Sequence, residues 1–264
     1  MECSAIPSQR MHRPVRYCAL LPAAYDAQPA ARFPILYWLH GLGGNEQMFL
    51  QGGAWNLVEH LREERKIGDF IILLPDGDNT FFINSRDGRR PYEDFFLREL
   101  LPAVERKYRV RAGRANRAIS GASMGGYGAL HMAFRHPELF GAVSAHSAAL
   151  FESLPAGATS IRDPLVRLLE QVFGSPFDQA YFRANNPLTY ARTAPLARLK
   201  IYFDCGSEDD YGFYTGARVL DRELTTRKLP HEFHIDPGGH DWTYFAAHMP
   251  AAMEFHWKIF AAAR

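Results

Sequence analysis

The chain has 264 residues, 47% of them hydrophobic and 22% charged, enough apolar material for one large α/β domain over 1–264. Thirty basic residues nearly cancel twenty-nine acidic ones, which removes the electrostatic ground for a nucleic-acid or membrane-surface partner and favours a compact small-molecule substrate. No stretch approaches the ~20 apolar residues of a membrane span, and 1–14 lacks the apolar core of a secretion signal, so a cytoplasmic location is expected, or a secreted one if a signal is missing from the N-terminus.

Cys3, Cys18 and Cys205 are odd in number, far apart and outside a C-x-x-C pattern. Neither a disulfide nor a zinc site is expected, and the thiols read as buried bystanders. Nothing indicates a metal or an organic cofactor, and homo-oligomer formation is left open.

In chain order, β-prone residues over 15–21 end at Pro22 and suit a strand at the edge of a sheet. A polar, Ala-rich loop over 25–32 follows. Residues 33–39 form a nearly continuous apolar run, the mark of a strand buried on both faces. It ends in His40-Gly41-Leu42-Gly43-Gly44, whose glycines let backbone approach a ligand. A dinucleotide loop fails there because Glu46 holds the place of the third glycine, and no P-loop lysine is present. Helical spacing over 55–66 leads to a second buried strand over 70–74, stopped by Pro75-Asp76-Gly77. Asp76-Gly77-Asp78-Asn79 starts like a calcium loop, but Phe81 stands where such a loop needs glycine. A rim near the site is the better reading. An amphipathic helix is expected over 93–108, with a kink at Pro102.

Gly121-Ala122-Ser123-Met124-Gly125 follows the short apolar stretch 117–120 and precedes a helix of small residues. The spacing predicts a nucleophile elbow, in which a tight strand-to-helix turn exposes the serine and needs glycine where a Cβ would collide with backbone. A string of this type arises by chance about 0.07 times in such a chain, so its setting carries the reading. A further strand is expected over 140–145. Residues 150–195 break the rhythm with several prolines, an amphipathic segment over 163–173 and Asn185-Asn186-Pro187. This reads as a lid or pocket insertion over the strand ends. Strand (200–204), helix (211–228), strand (231–236) and helix (242–263) then resume. Strands alternating with helices imply a mostly parallel sheet covered on both faces.

A serine hydroxyl needs a base, and the base a carboxylate, in the chain order Ser, Asp or Glu, His for this topology. Among Asp204, Glu208, Asp209 and Asp210, the loop geometry favours Asp209 as the acid. His240, in Pro237-Gly238-Gly239-His240-Asp241-Trp242, opens the last helix and is the expected base. His231 and His234 point to opposite sides of a strand. His248 and His256 lie in the last helix, His146 is a competitor out of order, and His40 is expected to brace the glycine loop. The backbone N–H groups of Leu42 and Met124 are the expected oxyanion donors.

Together, His40-Gly41-Leu42-Gly43-Gly44, Pro75-Asp76-Gly77, Tyr92-Glu93-Asp94, Glu99-Leu100-Leu101-Pro102, Ser120 to Gly126, Gly206-Ser207-Glu208-Asp209 and Gly239-His240-Asp241-Trp242 resemble the putative-esterase family of α/β-hydrolases. That family includes esterase D (S-formylglutathione hydrolase), tributyrin and feruloyl esterases, and the antigen 85 mycolyltransferases. The resemblance runs from about residue 11 to the end. It implies an α/β-hydrolase fold with Ser123 as nucleophile, Asp209 as acid, His240 as base, and Leu42 and Met124 as oxyanion donors. Phe81-Phe82 stands where relatives often carry a tyrosine, and Phe82 and Trp242 are expected at the substrate pocket. The activity implied is hydrolysis of short-chain acyl esters, of sugars or phenolic acids, through an acyl-enzyme. The alternatives are formylglutathione thioester hydrolysis, acyl transfer, and a non-catalytic binding scaffold of the same fold.

Overall fold

The computed structural model describes residues 1–153 and 164–263. Among the described residues one sheet carries β1 (Glu2–Ser8), β2 (Arg13–Leu20), β3 (Ile35–Leu39), β4 (Ile71–Pro75), β5 (Arg117–Ala122), β6 (Ala142–His146), β7 (Lys200–Gly206) and β8 (Glu232–Asp236). Their order is β1-β2-β4-β3-β5-β6-β7-β8, parallel from β4 to β8 and antiparallel at β1 and β2. The helices are α1 (Ala24–Ala27), α2 (Met48–Gln51), α3 (Ala54–Glu63), α4 (Tyr92–Phe95), α5 (Leu101–Lys107), α6 (Met124–Arg135), α7 (Pro164–Phe173), α8 (Gln179–Ala184), α9 (Pro187–Thr193), α10 (Phe213–Thr226) and α11 (Trp242–Ala262).

The sheet separates two cores. On β3, Ile35, Tyr37 and Leu39 join the core under α6, whereas Leu36 and Trp38 join the one under α3 and α11. Alternate side chains of a strand face opposite ways, so a strand covered on both sides must be apolar throughout. This accounts for the unbroken apolar runs at β3 and β4.

Two expectations at the N-terminus are corrected. The strand begun near residue 15 is not the edge, because β1 pairs outside it. Cys3 and Cys18 also form a disulfide. They are 15 residues apart in sequence, but the hairpin register sets them directly opposite with Cα atoms 4.0 Å apart. Antiparallel strands bring side chains this close at their non-hydrogen-bonded pairs. Cys205 is free and buried.

The expected kink at Pro102 takes the form of a π-turn over Phe96–Leu100, between α4 and α5. Proline has no N–H to give the carbonyl one turn earlier and its ring crowds that carbonyl, so the preceding turn widens. Farther along, Asp178 caps α8 by accepting the Ala180 and Tyr181 N–H groups at 3.0 and 2.9 Å, and Asn186 caps α9 through Leu188 N–H at 2.9 Å. These caps start two short helices within the expected 150–195 insertion, of which 154–163 lies outside the described residues. The Asn185 carbonyl accepts Tyr127 Oη–H at 2.8 Å and lies 2.9 Å from His131 Nδ1, fastening the α8–α9 junction to α6. Buried Glu93 fastens the 92–107 helices to the same helix through His131, His136 and Arg135. Burial opposes its ionisation, but these partners outweigh it and hold its carboxyl well below the usual range.

Candidate active site

At the end of β5 the backbone turns sharply at Ser123, with φ 56° and ψ −119°, before entering α6. A non-glycine residue there carries strain that the surroundings must hold in place. They do so through main-chain bonds. Ser123 N–H donates to the His146 carbonyl at 2.9 Å, and its own carbonyl accepts from Tyr127 and Ala149 N–H at 3.0 and 3.1 Å. A Cβ on Gly121 would stand 2.4 Å from Gly125 backbone atoms, and one on Gly125 only 2.0 Å from the Leu39 carbonyl oxygen. The glycines of the motif are therefore what lets β3, β5 and α6 meet under the serine.

The serine is joined to two loops that leave the parallel strands at their carboxyl ends. Ser123 Oγ lies 2.8 Å from His240 Nε2, and His240 Nδ1 lies 2.7 Å from Asp209 Oδ2. Asp209 is buried, and its Oδ1 accepts Tyr211 N–H at 2.9 Å. The Cys205 thiol lies 3.7 Å from Asp209 Oδ2. Burial pushes that thiol up to about 12, so it stays protonated at neutral pH and serves as a weak donor. The loops after β7 and β8 touch: a Cβ on Gly206 would meet the Gly238 carbonyl oxygen at 2.2 Å, and Glu208 N–H donates to that carbonyl at 3.0 Å. This contact holds the Asp209 loop against the loop that carries His240.

Three aromatic rings surround the imidazole. Tyr211, Phe213 and Phe245 stand edge-to-face to His240 with centroids 4.8, 5.3 and 5.4 Å away. They fix its plane and exclude water from its flanks. Sequence reasoning missed all three; the available signal, for Tyr211 and Phe213, was an aromatic pair closely following Asp209.

On the other side of the serine, Gly41 to Gly44 forms a turn closed by Gly44 N–H to the Gly41 carbonyl at 3.0 Å, with Gly43 at φ 71°. His40 braces it, as expected. Gly77 N–H donates to His40 Nε2 at 2.8 Å, so the proton resides on Nδ1, which donates to the Gly41 carbonyl at 2.8 Å. Burial lowers the pKa of this imidazole, against the pull of the Gly41 carbonyl and Asp76, and keeps it neutral. Leu42 lies in this turn, and Met124 is the first residue of α6, whose N–H has no acceptor within the helix.

Ser123 and His240 open into a cavity of about 600 Å³. Leu42, Met124 and Trp242 line it, together with Phe81, Leu150, Leu168, Leu169 and Val219. Phe82 does not reach it, which corrects the expectation. Phe82 is buried behind the wall, with its ring against His40 and Tyr92 at 5.3 Å each. Phe81 and Phe82 both have left-handed backbone, φ 53° and 57°, so the strand rule that assigns alternate residues to alternate sides does not hold there.

A second assembly of the same residue types lies under α11. Ser144 Oγ donates to Ser120 Oγ at 2.7 Å and lies 2.8 Å from His256 Nε2, while His146 Nδ1 lies 2.7 Å from Asp204 Oδ2. All five residues are buried. Burial holds His256 down to about 3, helped by neighbouring His146, so His256 is neutral. The competitor His146 is thus engaged with Asp204 inside the core.

Comparison with known proteins comes from three directions. Residues 8–256 match the model of the family described as Putative esterase. The chain is 29% identical over 250 residues to esterases of Mycobacterium tuberculosis, a match that covers 84% of this chain and 51% of theirs, so it spans about half the length of those relatives. Among solved structures, a ferulic acid esterase is 26% identical with a TM-score of 0.84, covering 98% of this chain and 97% of that one. An S-formylglutathione hydrolase from Staphylococcus aureus, 19% identical with a TM-score of 0.78 over 97% of both chains, shares the fold.

Proposed function

The chain belongs to the putative-esterase family, of the α/β-hydrolase type, and from that premise we propose that it is a serine carboxylesterase. In this reading Ser123 is the nucleophile, His240 the base and Asp209 the acid. One observation carries the proposal: the line from Ser123 Oγ through His240 to Asp209, at 2.8 and 2.7 Å, opens directly into an apolar cavity.

The chemistry follows from those positions. Ser123 Oγ attacks the ester carbonyl as its proton passes to His240 Nε2. Asp209 accepts the Nδ1 proton in a hydrogen bond and stabilises the imidazolium. The carbonyl oxygen becomes an oxyanion between the N–H groups of Leu42 and Met124, where loss of one donor costs roughly 10²–10³ in rate. The intermediate collapses as His240 returns its proton to the leaving alcohol oxygen, and an acyl-serine remains. Water then repeats the sequence, giving its proton to His240 and releasing the acid. Every proton taken from a nucleophile is returned to a leaving oxygen.

The substrate class we propose is a compact acyl ester of a sugar or a phenolic acid. The walls of Phe81, Leu150, Leu169 and Val219 support an uncharged acyl group, and the volume of about 600 Å³ admits one as large as an aromatic acid. A relative in structure is named a ferulic acid esterase. The cavity residues include Glu152 and Asp241 and, among the described residues, no Lys or Arg. An anionic glutathione thioester gains no cation there, which weighs against S-formylglutathione.

Labelling with a fluorophosphonate tests the reading. One equivalent of label on Ser123 is expected, and Ser123→Ala should lose both the label and the hydrolysis of p-nitrophenyl acetate by a factor of about 10⁴ or more. Full esterase activity in Ser123→Ala would overturn it.

A further inference from the structure

Among the described residues, Met1, Leu42 and Tyr211 are the large hydrophobic side chains left exposed. Two of the three, Leu42 and Tyr211, border the cavity that holds Ser123. Tyr211 is 65% exposed although its ring stacks on Phe213 at 5.4 Å and 14°, and stands 4.8 Å from the imidazole of His240. Its backbone is fixed as well, through the N–H it gives to Asp209. The side chain is therefore a ring held in place beside the base with its outer surface open to solvent.

The direction of proton transfer says what meets that surface. In the reading of the preceding subsection, on which this inference rests, His240 Nε2 returns a proton to the oxygen of the departing alcohol. That oxygen must come within hydrogen-bond reach of Nε2, about 2.6–3.2 Å. The acyl group occupies the apolar chamber of Leu150, Leu169 and Val219, so the alcohol extends outward past His240. Tyr211 borders this exit. Two exposed carboxylates precede it in the same loop, at Glu208 and Asp210.

We propose that Tyr211 is the floor of a leaving-group subsite that selects esters whose alcohol carries a ring with a face to stack. An aryl ring would stack on the tyrosine through its π-face. A pyranosyl ring would lay its C–H face there and turn its hydroxyls towards Glu208 and Asp210. Small alkyl alcohols have no surface to stack. Tyr211 thus acts on the departing alcohol, while the acyl group is read by the chamber.

The test holds the acyl group constant. Phenyl acetate, an acetylated methyl glucopyranoside and ethyl acetate are compared with wild type, Tyr211→Ala, Tyr211→Phe and, as a second ringless variant, Tyr211→Ser. The ratio of kcat/KM for the ring-bearing esters over ethyl acetate should fall about threefold to tenfold in both ringless variants, chiefly through KM, and be retained by Tyr211→Phe. The larger fall, for phenyl or for pyranosyl, identifies the ring. An equal loss on all three esters would mean that Tyr211 only positions His240 and would overturn the proposal, as would an unchanged ratio. Fluorophosphonate labelling of Ser123 in each variant separates the two readings. If wild type takes no label and turns over none of the esters, the esterase reading itself fails; if the label is taken and the ratio does not move, the subsite alone fails.

Discussion

Serine, histidine and aspartate are brought together twice on the same central strands, and the two assemblies differ in everything except composition. Ser123, His240 and Asp209 lie at the carboxyl ends of the strands, on loops, with the serine in a left-handed turn facing a cavity. Ser144, His256, His146 and Asp204 lie between the sheet and α11, buried on regular strands and a helix. In the first, Ser123 Oγ, His240 and Asp209 Oδ2 form one continuous line, with the Cys205 thiol also on Asp209 Oδ2, and the serine faces the cavity. In the second, Ser144 shares its hydroxyl between Ser120 and His256, and among the described residues His146 Nε2 has no hydrogen-bond partner. Residue types do not make a hydrolytic site. A strained, solvent-reachable serine and a carboxylate aligned behind one imidazole are also required.

The largest effect expected to break this contrast is on catalysis. Asp209→Asn keeps the shape of the acid but places an amide against His240 Nδ1, which disfavours the tautomer the reaction needs. A loss of kcat of about 10⁴ is expected in steady-state hydrolysis of p-nitrophenyl acetate, with the fold intact by circular dichroism. A loss below tenfold would move the acid elsewhere in the 204–210 loop.

The buried assembly should answer in stability instead. His146→Ala removes the imidazole that pairs with the buried Asp204 carboxylate, at an expected cost of about 3–5 kcal/mol in urea unfolding. Its kcat should fall far less than that of Asp209→Asn. If His146→Ala were as inactive as Asp209→Asn while still folded, the division between the two assemblies would not hold.

The smallest effect is in pH. His256 and His40 have lowered pKa values and are neutral in the fold, whereas the unfolded chain protonates them below about pH 6.5. The unfolded state then binds more protons, so stability falls as pH falls. For His256 the loss is about 1.4 kcal/mol per pH unit, beginning near 6.5 and continuing towards its folded value of about 3. Urea midpoints at pH 7 and 5.5 measure the slope, which His256→Gln should flatten. An identical slope in that variant would assign the acid sensitivity to other groups.

The parts of the site that constrain backbone were legible in the sequence. Gly121 and Gly125 are glycine because no Cβ fits between β3, β5 and α6, and such positions leave a mark in a single chain. The unbroken apolar runs at β3 and β4 record burial on two faces. The order of Ser123, Asp209 and His240 followed from topology once the strands were read. What depended on register or on unusual backbone was hidden. Cys3 and Cys18 face each other only through the pairing of β1 with β2. Phe81 and Phe82 exchange places because both are left-handed. Tyr211 and Phe213 reach His240 across a turn with Gly212 at φ 70°, which helical periodicity does not describe.

The wall of the cavity has one further consequence. Leu150 follows β6, Leu168 and Leu169 belong to α7, and Val219 belongs to α10, so this part of the cavity wall is built outside the backbone contacts that hold the elbow. Changes in those side chains reshape the cavity without touching Gly121, Gly125 or the hydrogen bonds of Ser123. The side chains that shape the cavity and the backbone that holds Ser123 are therefore free to vary independently.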